Sequence, residues 1–125
     1  MTRRQWLFDS NVGIYLLQGN APHALRRLSQ CPAGSVVTSS ICLGEMLIGL
    51  RPDEVMVLQR LLSVIEVIPF DEAAARAYAT LPFRRAGYDR LIAAHALSLG
   101  LTVIAANLAD FADVPGLMVE DWMQP

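Results

Sequence analysis

Short apolar runs alternate with longer stretches of helical spacing along the chain, the pattern expected of an α/β fold with a largely parallel sheet. The first run, Trp6 to Asp9, reads as a strand followed at once by a helix from Asn11 to Gln18. Gly19-Asn20-Ala21-Pro22 makes a break, and Pro22 suits the first turn of a helix reaching about Gln30. Beyond the turn Cys31-Pro32-Ala33-Gly34, a second strand is predicted from Ser35 to Thr38. A third helix then covers Ile41 to Leu50, stopped by Arg51-Pro52. Asp53 is placed to cap a fourth helix through Ser63, where Val57, Leu58, Leu61 and Leu62 recur at helical spacing. A third strand runs from Val64 to Ile68 and ends at Pro69, after which Asp71 caps an alanine-rich fifth helix. Pro82 to Gly87 is an arginine-bearing linker to a sixth helix, Tyr88 to Leu99, with Gly100 in the stop position. A fourth strand spans Leu101 to Ala105 and a short last one Leu117 to Glu120.

Composition narrows the class. A chain of 125 residues without repeats or low-complexity tracts is expected to form one domain over residues 1–125. Its apolar content of 54% against 18% charged residues excludes disorder, and a compact chain of this size needs no disulfide or zinc staple. Cys31 and Cys42 have neither framework nor metal-ligand spacing, which points to a reducing cytosol. No membrane span is expected, because the long apolar stretch after Arg90 is broken by His95, Ser98, Gly100 and Thr102. Asp9 likewise splits the apolar run near the start, and no cleavage site follows it. The net charge of −2 gives no global basic field, and all ten basic residues are arginine.

The carboxylates carry the chemistry. Of twelve acids, Asp53, Glu54, Glu66, Asp71, Glu72, Asp113, Glu120 and Asp121 lie in polar surroundings that caps, turns and solvated faces explain. Four are different. Asp9 is the only charge between Arg4 and His23, Glu45 is alone in an apolar helix, Asp89 opens another, and Asp110 follows the run LTVIAANLA. On the predicted fold all four approach the carboxyl ends of the strands, where open parallel sheets bind ligands. Carboxylates gathered there repel one another unless a cation neutralises them, and an all-oxygen set suits Mg²⁺ or Mn²⁺. The competing reading is that each acid caps a helix or pairs with a surface arginine.

The segments LFDSNVGIYLL, TSSICLGEMLIGL and GYDRLIAAHALSLGLTVIAANLADFADVPGLMVEDW closely resemble PIN-domain ribonucleases, and within them the VapC-like toxins of bacterial toxin–antitoxin pairs. The resemblance covers essentially the whole chain. It implies an α/β/α sandwich around a parallel sheet, usually a homodimer, with metal-dependent endoribonuclease activity held in check by a cognate VapB-like antitoxin. The family's acidic site matches Asp9 with the adjoining Asn11, Glu45, Asp89, and Asp110 in ADF. Two features depart from the family. VIAAN stands where VTNN is common, so Ala105 replaces a hydroxyl residue while Asn107 remains, and the span from Glu45 to Asp89 is short.

The expected reaction is hydrolysis of an RNA phosphodiester by metal-activated water, with Asp9, Asp89 and Glu45 holding Mg²⁺ and Asp110 completing the site. Asn11 would orient Asp9 or cap the next helix. Arg84, Arg85 and Arg90 bracket Asp89 and are candidate phosphate contacts, the alternative being solvation or pairing with nearby acids. His95 reads as a packing residue. Phosphatases and receiver domains that use an aspartate after a strand also need a second acid and a lysine, and the chain has no lysine. GEMLIGLR lacks the Lys-Ser/Thr of a P-loop. A noncatalytic PIN-like binding module is the alternative function, prompted by Ala105.

Overall fold

A computed structural model describes residues 3–82 and 87–125. Five strands, β1 (Trp6–Phe8), β2 (Val36–Ser39), β3 (Glu66–Ile68), β4 (Thr102–Ala105) and β5 (Val119–Asp121), pair in the order β3-β2-β1-β4-β5. Every pairing is parallel, and the register sets Phe8 beside both Thr38 and Ile104. The next residues, Asp9 just past β1 and the last strand residues Ser39 and Ala105, therefore lie at one level at the carboxyl end of the sheet. The chain builds outward from β1 through β2 to β3 and then returns to place β4 on the other side of β1. That reversal makes the β1/β4 boundary the switch point at which such sheets open a crevice.

Among the described residues six α-helices cover the sheet: α1 (Ser10–Gln18), α2 (Pro22–Gln30), α3 (Ser40–Leu47), α4 (Val55–Val64), α5 (Glu72–Ala79) and α6 (Tyr88–Leu99). Successive strand residues point to opposite faces, so Leu7, Val37 and Val103 join one core with Ile92, Ala93 and Ala96 of α6. Phe8, Val36 and Ile104 join the other, with Val12 and Leu16 of α1, Ala24 of α2 and Leu58 of α4. This is the expected α/β/α sandwich. Among the described residues no helix is long and apolar enough to cross a membrane.

Boundaries differ from the sequence reading where a side chain caps a helix. Asp9 Oδ1 accepts from the Val12 N–H at 2.8 Å, so α1 starts at Ser10 and Asp9, not Asn11, is its cap. Ser39 Oγ accepts from the Ile41 N–H at 3.1 Å and starts α3 early, while Asp71 caps α5 as expected. Asp53 does not cap α4. It lies in a 3₁₀ turn, Pro52–Glu54, exposed and 3.4 Å from Arg51, and Glu54 accepts from the Arg51 N–H instead.

Candidate active site

Asp9 stands directly after β1 at the switch point, and only 2% of it is exposed. Besides capping α1, its carboxylate accepts from the Ala106 N–H just past β4, at 3.4 Å. Ala105, which lacks the expected hydroxyl, is itself buried in the α6-side core. The β4 contact to Asp9 is made by the next residue's backbone and needs no side chain. Burial pushes the Asp9 carboxyl up to about 6, against the two backbone N–H groups that favour its charge. The negative fields of Asp89 and Asp110 push the same way, which places both acids within electrostatic reach of Asp9.

Glu45 enters from α3. Its Oε1 accepts from Ser10 Oγ, the residue next to Asp9, so the first two acids are joined through one hydroxyl. Gly13 lets the helices approach closely enough for this contact. A Cβ there would lie 2.6 Å from Met46 Sδ and 3.0 Å from Phe8 Cε1. The run Thr38-Ser39-Ser40 anchors the start of α3 with three hydroxyls. Thr38 Oγ1 donates to the Phe8 carbonyl at 3.1 Å, Ser39 Oγ lies 2.8 Å from His95 Nδ1, and Ser40 Oγ accepts from the Phe70 N–H at 3.0 Å.

Asp89 is half-buried as the second residue of α6. Asp110 is half-buried in a 3₁₀ turn, Leu108–Phe111, anchored by the buried ring of Phe111. Asn107 caps that turn, its Oδ1 accepting from the Ala109 N–H at 3.1 Å, while Asn11 is exposed on the first turn of α1. Among the described residues no three of these groups stand close enough to cage an ion directly. The donor set still fits a hard cation. Mg²⁺ ordinarily keeps several waters and takes one or two carboxylates, and a buried carboxylate under the negative field of two others is the charge it would relieve.

Arg90 must be reassigned. Only 5% of it is exposed, its guanidinium lies 3.2 Å from Asp113 and it donates to the Pro82 carbonyl, so it braces the start of α6 rather than meeting phosphate. Arg84 and Arg85 lie outside the described residues. An apolar cleft of about 350 Å³ lined by Leu25, Leu28, Val36, Leu61 and Val64 lies at the amino end of β2, away from the acids.

The PIN domain family profile matches residues 6–117. The chain belongs to the PIN-domain family. Within it the protein is VapC-like: it is 32% identical to the tRNA(fMet)-specific endonuclease VapC of Salmonella typhimurium, over 94% of this chain and 98% of that one. Ribonuclease VapC2 of Haemophilus influenzae is 27% identical over 95% of this chain and 98% of its own. A solved structure of DNA-bound VapBC from Salmonella typhimurium superposes with a TM-score of 0.81 at 30% identity, covering 95% of this chain and 98% of that one. VapBC2 of Rickettsia felis, at 24% identity, shares the fold with a TM-score of 0.83 over 94% of this chain and 98% of its own. The four acids lie on four different segments of this PIN fold: Asp9 directly after β1, Glu45 in α3, Asp89 in α6 and Asp110 in the 3₁₀ turn after β4.

Proposed function

We propose that this protein is an endoribonuclease toxin that hydrolyses RNA phosphodiester bonds at the crevice around Asp9, with a divalent cation, Mg²⁺ or Mn²⁺, held directly or through water by Asp9, Asp89 and Glu45 and with Asp110 completing the site. The observation that carries the reading is the buried Asp9 carboxylate at the switch point, under the field of Asp89 and Asp110 and linked to Glu45 through Ser10. When bound, the cation supplies neutralisation of the phosphate and acidification of water. The protein's part is placement. The Val12 and Ala106 N–H groups fix the Asp9 carboxylate, Ser10 fixes Glu45, and the Phe111 anchor holds the turn bearing Asp110. No side chain is required as a nucleophile, because water attacks. Asn11 and Asn107 support the rim, and Arg84 with Arg85 are the candidate phosphate contacts.

An antitoxin partner is part of the same reading. Relatives of this fold are found in VapBC complexes, and a VapB-like chain would hold this protein inactive. The test uses protein freed of any partner, incubated with structured RNA and Mg²⁺ or Mn²⁺. Cleavage that chelator abolishes and Asp9→Asn removes supports the assignment, whereas cleavage insensitive to both defeats it. Charge reversal at Arg84 and Arg85 should weaken RNA binding and flatten its salt dependence; an unchanged slope removes them from the interface.

A further inference from the structure

A second small cleft adjoins the acids. It has a volume of about 260 Å³ and is lined by Ser40, Ile41, Gly44, Glu45, Ile48 and Tyr88. We propose that this cleft is a nucleobase subsite, in which Tyr88 stacks on an unpaired base next to the phosphate being cut. The proposal rests on the acidic crevice being the place of cleavage. Tyr88 is 56% exposed and immediately precedes Asp89, while Glu45 belongs both to the cleft and to the acidic site. A base held there therefore has its backbone beside the acids. Ile41 and Ile48 give an apolar wall, and Gly44 leaves the floor open, since a Cβ there would meet nothing within 4 Å.

Charge selects a base over a phosphate. None of the six lining residues is basic and Glu45 is acidic, so the cleft repels an anion but accepts a neutral ring. The volume lies below the range of sites that enclose whole drug-sized ligands and suits a single planar group. Stacking on an aromatic face is how proteins hold splayed single-stranded bases.

The experiment measures steady-state cleavage of a short single-stranded RNA with one cut site. Tyr88→Ala is expected to raise KM about tenfold with little change in kcat, and Tyr88→Phe or Tyr88→Trp to restore it. Making the flanking nucleotide abasic should raise KM for the native protein, with no further rise in Tyr88→Ala. Gly44→Leu, which fills the cleft at a helical position with no positive φ, should raise KM without lowering the melting temperature. An unchanged KM in Tyr88→Ala overturns the proposal, as do abasic and Tyr88 effects that multiply. Loss of activity that tracks dissociation of paired copies, read by light scattering, also overturns it and assigns the cleft to a second copy of the chain. RNA binding to the Asp9→Asn protein, with and without Tyr88→Ala, reads the subsite even if the acidic-site assignment fails.

Discussion

His95 Nδ1 lies 2.8 Å from Ser39 Oγ, joining the helix that carries Asp89 to the cap of the helix that carries Glu45. His95 is 1% exposed, its ring meets Phe70 edge-to-face at 5.4 Å, and its Nε2 has no partner among the described residues. The imidazole is thus a buried brace between two site-bearing helices.

His95→Ala should destabilise the fold by about 2–4 kcal/mol, from the cavity and the lost Ser39 partner. His95→Asn, which can still reach Ser39, should cost less. Burial lowers the His95 pKa, with Asp71 opposing more weakly, so the folded state prefers the neutral ring. Its contribution is therefore present above the unfolded value of 6.5 and is lost as the pH falls below it. Denaturant titrations at several pH values check this; a His95→Asn protein with the same acid-side loss would sink it.

Asp9 behaves in the opposite sense. A carboxyl raised from 3.8 to about 6 favours folding when protonated, so in ion-free protein it costs stability as the pH rises through that interval. A rise of that size corresponds to roughly 3 kcal/mol. Asp9→Asn keeps an acceptor for the Val12 N–H but sets its Nδ2 donor against the Ala106 N–H, so the gain in stability over the native protein at neutral pH in chelator should be only about 1–2 kcal/mol, with cleavage lost. Added Mg²⁺ should raise the melting temperature of the native protein and not of the variant. Thermal melts with and without chelator decide both points.

Arg90→Met should weaken the fold by about 3–5 kcal/mol, since it strands Asp113 and the Pro82 carbonyl. RNA affinity of the molecules that remain folded should keep its salt dependence. A shallower salt slope in a binding titration would return Arg90 to the RNA interface.

Gly13→Val forces a side chain into space held by Met46 and Phe8. A cost of about 1–3 kcal/mol is expected from overpacking, with a lower single-turnover rate because α3 and Glu45 are displaced from Ser10. Unaltered melting and turnover would show that the close approach of α1 and α3 is dispensable.

The order of elements and the identity of the unusual acids are readable from the pattern of residues alone. Apolar runs of two periods wrote β1 to β5 and α1 to α6 to within a few residues, because burying a strand or a helix face demands that spacing locally. Asp9, Glu45, Asp89 and Asp110 were legible as charges in apolar surroundings, a cost few chains carry without reason. Tertiary structure decided which side chains are spent and which are available. For Arg90 the sequence leaves phosphate contact and pairing with an acid both open, and the fold commits it to Asp113, 23 residues away, while Asp9 meets Ala106 across 97. Ser10 and Ser39 carried no signal as isolated hydroxyls. They gain their roles only when parallel pairing brings the ends of β1, β2 and β4 to one level, and neither periodicity nor composition encodes a contact between distant segments.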